Sequence, residues 1–383
     1  MVVAPEFRVF IGNMVTGSIT ADLPVASLSW GIRLNGAGAI DITTKALSEE
    51  LRSKDLRNIT ATKKNYLAVA YGDTILEAGP IWKKHYDVNT GVLKLGAEGL
   101  WSILDKIKAL NWAQIVGGMA VTRTSLDFTG LSLGGVAREY VRVSIFANPH
   151  NPGLPIVLPA VAETGSNERH HKGYELPYLG DLLRKLTQVE DGPDIAFRPR
   201  YNAADLTRIE WVMTHGSTAS PLLYQVGADW VWDGTTEESG VSGIGVAEDA
   251  TGMADRVWQP GAGSELEMKL ASAQDLDLIL NAEYPWTEAD AASKDVEDQG
   301  ILQAHANAGM AAARRPIETW DTTVQASTNP ILGEYEPGDF AMIIVPDDHP
   351  MIAPGPRRVR IMAIDGDNSQ KVKLTPAPMP AGV

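Results

Sequence analysis

Cysteine is absent from all 383 residues. That excludes a thiolate zinc centre, a thiol nucleophile, an iron–sulfur cluster and any disulfide framework, while leaving the redox compartment open. Positive charge is scarce: 33 Lys and Arg stand against 48 Asp and Glu, a formal charge of −15. Proteins that grip phosphate backbones carry a basic surface, because counterion release supplies most of their affinity. Here the densest basic runs are the pairs Lys83-Lys84, Arg314-Arg315 and Arg357-Arg358, which read as solvated ends of strands or helices. No uncharged apolar run approaches the roughly 18–20 residues of a bilayer span. The start, Met1-Val2-Val3-Ala4-Pro5-Glu6, has no basic segment followed by an apolar one, so no signal peptide is expected. The expectation is a soluble chain made in the cytoplasm, with no membrane span.

What is present is ordinary for a folded protein: 44% apolar and 21% charged residues. At about 150 residues per domain the length gives two to three domains, enough core to need no disulfide or metal staple. The first hundred residues read as strands. Leu28, Trp30, Ile32 and Leu34 alternate with Ser29, Gly31, Arg33 and Asn35, the period of two that puts one face inward. Phe7, Val9 and Ile11 form an earlier run, and Ile40 and Ile42 a later one. Residues 67–71, 74–78, 80–86 and 92–95 follow, separated by Gly72-Asp73, Gly79 and Asn89-Thr90-Gly91, which read as turns. Leu100, Ile103, Leu104 and Ile107 give a helical stripe.

Residues 111–175 carry many Gly and Pro and read as an irregular segment, with a strand at Tyr140–Phe146 and a polar mobile loop at Gly165–Gly173. Pro177 opens a short helix, with Leu179, Leu182, Leu183 and Leu186 at helical spacing; Glu190-Asp191-Gly192-Pro193-Asp194 stops it. Strands are expected at Ile195–Pro199 and Thr207–Thr214, with Ile209, Trp211 and Met213 on one face, and further strands through 215–265. An alanine-rich helix is expected over Thr287–Arg315, with Glu288 and Asp290 at its start, Arg314-Arg315 at its end and Pro316 as terminator. Gly300 and Gly309 mark a possible break. Strands return at Ile317–Val324, Phe340–Val345, Val359–Ile364 and Lys371–Leu374, before a Pro-rich end at Pro376, Pro378 and Pro380 expected to fray.

Chemical motifs are few. None of the seven histidines forms a His-Glu-x-x-His pair. His170 and His171 are adjacent, so their side chains point apart on a strand or helix, a poor arrangement for ligation. Asp347-Asp348-His349 lies between prolines and reads as a turn. Asp365-Gly366-Asp367-Asn368 resembles a calcium loop but lacks the spaced glutamate and the helices; a hairpin turn accounts for it. Gly240-Val241-Ser242-Gly243-Ile244-Gly245 is not a dinucleotide fingerprint, and neither a Walker A sequence nor a G-x-S-x-G elbow occurs. Glu237-Glu238 are paired carboxylates in a chain rich in acids. Trp230 and Trp232 share a face if their segment is a strand; they could stack on sugar rings, and they read more simply as core or subunit packing. No catalytic, cofactor-binding or metal-binding residue is assigned.

Several stretches, taken in order, resemble minor tail proteins of long-tailed actinobacterial phages. They are Leu23-Pro24 through Leu28–Asn35 to Gly36-Ala37-Gly38, Tyr66–Tyr71, Gly79-Pro80-Ile81-Trp82 and Tyr86-Asp87-Val88-Asn89-Thr90-Gly91. The resemblance continues at Tyr178–Val189 with Glu190–Asp194, and at Tyr335-Glu336-Pro337-Gly338-Asp339-Phe340. That family is similar to the tail hub, or baseplate hub, of phage tails. The resemblance implies a mainly β fold with inserted α, built of two tube-like β-barrel or sandwich domains plus peripheral α/β elements. It implies a homotrimeric ring at the tail tip, in which three subunits present six similar domains to a six-fold tube. Its partners would be the distal tail protein, the tail tube, the tape measure and other minor tail proteins, with DNA passing through the lumen without specific binding. On this reading the chain divides into an N-terminal β-domain (1–110), an irregular insertion (111–175), a second β-rich domain with a leading helix (176–275), a helical segment (276–316) and closing strands (317–383). The expected role is structural rather than enzymatic, without cofactor, and no peptidase or lysozyme-like extension is expected. The acidity would suit a channel that lets DNA slide. Two rivals remain: a receptor- or carbohydrate-binding tail protein, for the tryptophans, and a tail-associated hydrolase, for the carboxylates.

Overall fold

A computed structural model of the chain describes residues 6–151, 153–189, 191–290, 296 and 299–378. Expectations placed on Met1–Pro5, Glu190, Pro380 and residues 291–295 fall outside these. Strands take 42% of residues and helices 19%, so the chain is mainly β with inserted helices, as the alternating patterns imply. It forms two compact units, one of Met1–Ile244 with Asp321–Val383 and one of Gly245–Trp320.

The chain opens with seven strands: β1 (Phe7–Asn13), β2 (Ile19–Asp22), β3 (Ser27–Arg33), β4 (Ala39–Lys45), β5 (Asn65–Tyr71), β6 (Thr74–Asp87) and β7 (Val92–Glu98). They pair antiparallel in the order β3-β4-β7-β6-β5-β1-β2. The alternation in β3 is kept: Leu28, Trp30 and Ile32 are buried while Ser27, Ser29 and Arg33 are exposed. The two runs expected on either side of Gly79 are one continuous strand, β6. Gly79 is there for a close approach, since a Cβ would lie 1.9 Å from the Glu98 carbonyl oxygen.

Beyond these come β8 (Ser125–Leu131), β9 (Ile156–Val157), β10 (Asn167–Lys172), β11 (Ile195–Asn202), β12 (Asp205–His215) and β13 (Trp230–Asp233). The strand expected at Tyr140–Phe146 is helical. An α-helix runs over Leu133–Val141 and continues as a π-helical turn over Arg142–Phe146. Ser132 caps it, its hydroxyl accepting from the Gly135 amide. Gly134 and Gly135 are contacts rather than breaks: Cβ atoms there would lie 2.1 Å from His215 Nδ1 and 2.3 Å from the Glu163 carbonyl oxygen. The loop expected at Gly165–Gly173 contains β10, whose residues alternate between half-buried and exposed and pair with β8.

The strand β14 (Gly243–Asp249) leads to the second unit, which holds β15 (Arg256–Pro260), β16 (Leu270–Gln274) and β17 (Glu288–Asp290). β15 is central, antiparallel to β16 and parallel to β17. A helix over Gln299–Ala313 buries Leu302, Ala306 and Met310, each four residues apart and so on one face. The helix therefore starts later than Thr287, and Glu288 and Asp290 belong to a strand instead. Gly309 lies inside it, where a Cβ would sit 3.1 Å from Val257 Cγ1. The boundary expected at 275/276 falls within this unit, because β15 and β16 pair with each other and pack on the helix.

The strand β18 (Ile317–Gln325) leads back, followed by β19 (Phe340–Val345), β20 (Gly355–Asp367) and β21 (Lys371–Pro378). β20 joins the two ends of the chain. Its first half pairs with β19, through Phe340↔Arg360 to Val345↔Gly355. Its second half pairs with β3, through Ala363↔Arg33 to Asp367↔Ser29. The full sheet runs β14-β18-β21-β20-β3-β4-β7-β6-β5-β1-β2, with β19 and β13 branching from β20.

One core joins the N-terminal sheet to the segments between residues 100 and 215. It contains Phe10 and Tyr66 from the sheet, Trp101, Val136 and Leu183 from helices, and Trp211 from β12. The segment 111–175 thus supplies core through the helix Leu133–Val141, whose Val136 and Ala137 are fully buried. Trp211 donates its Nε1–H to the Ala78 carbonyl at 3.0 Å, so its polar edge is satisfied inside the core.

Candidate functional site

The residues singled out from the sequence do not converge. His170 Nδ1 lies 2.9 Å from Asp127 Oδ1 and His171 Nε2 lies 2.8 Å from the Tyr140 hydroxyl, so the two rings do point apart across β10. His349 organises a turn: its Nε2 is 2.9 Å from the Ile244 carbonyl and its Nδ1 accepts from the Ile352 amide. Asp365, Gly366 and Asp367 lie in β20 rather than in a turn, and Gly366 makes room for the Trp30 indole, 2.5 Å from where a Cβ would be. Glu237 and Glu238 are exposed on a 3-10 turn. Trp232 is fully buried, its ring edge-on to Tyr335 at 5.0 Å, whereas Trp230 donates to Asp339. They make no exposed pair. Arg358 pairs with Asp229 and Arg314 with Asp275, so one member of each of those basic doublets is neutralised. Among the described residues no cluster of His, Asp and Glu could hold a metal, and no helix is long and apolar enough to cross a membrane.

What does converge is the set of segments Asn35, Pro193–Ile195 and Tyr335–Phe340. Asn35 follows β3 with φ 56°, a left-handed turn that Asn tolerates. Its amide nitrogen donates to Asp194 Oδ1 at 2.9 Å and its amide oxygen accepts from the Ile195 amide at 2.8 Å. Asp194 Oδ2 accepts from the Leu223 amide at 2.9 Å and from Arg360 Nη2. Arg360 also donates to the carbonyls of Gly338 (3.0 Å) and Leu223 (3.1 Å). Both charged side chains are under one-tenth exposed. Gly338 has φ 115°, and a Cβ there would lie 2.7 Å from the Leu223 carbonyl oxygen, so glycine is required twice over. Asp339 beside it accepts from the Glu336 amide and from Trp230 Nε1, both at 2.9 Å; burial pushes its carboxyl up. A buried charge is tolerated only when paired and hydrogen-bonded, and this pair meets both conditions. The knot fixes the β3–β4 turn, the start of β11 and the β19–β20 pair in one place.

A second buried carboxylate lies in the N-terminal sheet. Glu77 is 4% exposed in β6. Its Oε1 accepts from the Ala78 amide at 2.9 Å. Burial raises its carboxyl from 4.5 to about 7, opposed by Arg198 and by amides of Ala78 and Gly38. Gly38 has no room for a side chain: a Cβ would lie 2.1 Å from Glu77 Oε2 and 2.2 Å from the Gly31 carbonyl oxygen. Gly38→Ala is therefore expected to lower stability by about 1–3 kcal/mol, the cost of overpacking, measured as a lower urea midpoint at unchanged slope.

The outer face of β3, β4, β7 and the far half of β6 forms an open groove of about 400 Å³, lined by Ser29, Asp41, Thr43, Lys83, His85 and Lys94. It offers hydrogen-bonding groups of both charges on a rigid sheet and no enclosed cavity. The sheet's terminal strands β14 and β2 each have one strand neighbour in the sheet. Unpaired strand edges are templates for further pairing.

No protein-family model and no curated protein matches the chain. Solved structures do. The 43 kDa tail protein of prophage MuSo2 from Shewanella oneidensis superposes with a TM-score of 0.59 at 11% identity, covering 98% of both chains. The tail protein from Neisseria meningitidis MC58 gives 0.55 at 14% identity, covering 97% of this chain and 96% of that one. A chain of the Francisella PdpA–VgrG complex gives 0.50 at 9% identity, covering 98% of this chain and 53% of that one. At such identities the likeness is one of fold, and it extends over nearly the whole length of the two tail proteins.

Proposed function

We propose that this chain is a structural protein of a phage tail tip, a homotrimeric hub ring that joins the tail tube to the distal tip and forms part of the ejection channel. The observation that carries the reading is the co-extensive fold likeness to a prophage tail protein, 98% of each chain. Two groups of strands, β1–β7 and β18–β21 with β13, meet along β3 and β20 and are the candidates for the two tube-like modules. Three copies would present six such modules to a six-fold tube. Edges such as β2 and β14 are hazards in a free monomer but become interfaces in a closed ring. The partners are then the tail tube, the distal tail protein, the tape measure and other minor tail proteins, in a virion assembled in the host cytoplasm.

The acidity is unevenly placed. Residues 245–320 hold 14 Asp and Glu against 5 Lys and Arg, a net −9 of the chain's −15. The tube-like unit is thus the less acidic of the two, and DNA passage rests there on the absence of a dense basic patch more than on strong repulsion. The purified protein is expected to form a trimeric ring with an axial hole, read by native mass measurement and negative-stain imaging. A monomer that persists in the presence of tail tube and distal tail protein overturns the reading.

A further inference from the structure

The second unit presents an aromatic surface on its small sheet. β15 turns Val257 and Gln259 inward, so alternation puts Arg256 and Trp258 on the opposite face of the sheet. The Arg256 guanidinium lies over the rings of both Trp258 and Trp286, 5.1 Å from each centroid. Trp286 is 44% exposed and Trp258 half-buried. The polar groups around the indoles are tied together. Trp258 Nε1 donates to Glu288 Oε1 at 3.0 Å, Arg256 lies 3.7 Å from the same oxygen, and Arg256 Nη2 donates to Gln274 Oε1. Trp286 is held from behind. The next residue, Thr287, donates its amide and hydroxyl to Asp255 Oδ2 at 2.8 and 3.1 Å, and Asp255 is 5% exposed.

We propose that this face is a binding platform for a neutral saccharide. The Trp286 indole face turned away from Arg256 can stack on the C–H face of a sugar ring, and the planar groups of Arg256, Glu288 and Gln274 match vicinal hydroxyls with paired hydrogen bonds. The platform is fixed before any ligand arrives, which lowers the ordering cost that weakens most surface sites. Charge selects the class of glycan. The unit carries a net −9 over 76 residues, and Glu288 and Asp290 lie on the adjacent strand, so phosphate- or sulfate-bearing polymers are repelled. This inference does not require the ring: it rests on residues 245–320 alone and would stand for a monomer.

The test is affinity electrophoresis of the purified full chain through native gels containing soluble β-glucan, mannan, galactan, xylan or, as the anionic probe, dextran sulfate. At least one neutral polymer is expected to retard the protein and dextran sulfate is not. Trp286→Ala is expected to weaken the retardation at least about tenfold, as loss of a central aromatic anchor does, with far-UV circular dichroism unchanged. Trp286→Tyr, which keeps an aromatic face, is expected to stay within about threefold of the parent. Retardation by none of the neutral polymers overturns the proposal, as does equal retardation by dextran sulfate. So does Trp286→Ala behaving as the parent, or Trp286→Tyr losing as much as Trp286→Ala.

Discussion

Asp194→Ala is expected to lower the unfolding free energy by about 3–5 kcal/mol, the cost of leaving one charge of a buried pair without its partner. Arg360 is then stranded at under one-tenth exposure with two carbonyls and no anion, and Asn35 and the Leu223 amide lose an acceptor. Arg360→Ala is expected to cost a similar amount from the other side. The two losses are not additive, because each variant already removes the shared contact; the double variant should fall well short of their sum. Lys373–Asp321, with both side chains about half exposed, supplies the contrast. Lys373→Ala should change stability by less than about 1 kcal/mol, as exposed pairs do. Urea unfolding at pH 7 reads all four variants against the parent. A loss below about 1 kcal/mol for Asp194→Ala would show that the knot does not hold β3, β11 and β20 together.

That knot also marks what a single sequence reveals. The strands were legible where one face alone is buried. β3, β12 and β19 follow their alternation, and Phe340–Val345 matches the expected bounds. The helix over Leu133–Val141 was not legible, because Tyr140-Val141-Arg142-Val143-Ser144-Ile145-Phe146 is rich in the β-branched and aromatic residues that strands favour. Its packing against the helix Leu179–Thr187 and its Ser132 cap override that preference. Glycines misled in the same direction. Gly79, Gly134 and Gly135 read as punctuation, yet each serves a close approach by a neighbouring backbone or ring, and nothing local announces such a neighbour. The Asn35, Asp194 and Gly338 stretches were each visible as turn chemistry. Their meeting was not, since Asp194 and Arg360 are 166 residues apart. Trp258 and Trp286 give no local signal for a related reason: 28 positions separate them, and Arg256 and Glu288 tie them into one surface.

Glu77 is expected to make the protein less stable as the pH rises from about 4.5 to about 7. Unfolded, its carboxyl ionises near 4.5; folded, burial holds that ionisation back to about 7. Below 4.5 both states keep the proton and the group contributes no pH dependence. Between the two values the unfolded chain has released its proton while the native one retains it, so each further step in pH favours unfolding. Above about 7 the native carboxylate is ionised as well and the curve flattens. At 1.36 kcal/mol per pH unit the interval is worth about 3 kcal/mol. The Arg198 and Arg33 charges and the amides of Ala78 and Gly38 favour the carboxylate, but they do not outweigh its removal from water. Glu77→Gln keeps the shape and one acceptor without a titrating proton. The difference between parent and variant, measured by urea unfolding from pH 4.5 to 8.5, cancels every other group. It should shift by about 3 kcal/mol in favour of the variant across that range. A difference that stays constant to within about 1 kcal/mol would mean that Glu77 ionises in the native sheet as readily as in the unfolded chain, and that the Gly38 cradle solvates it as well as water does.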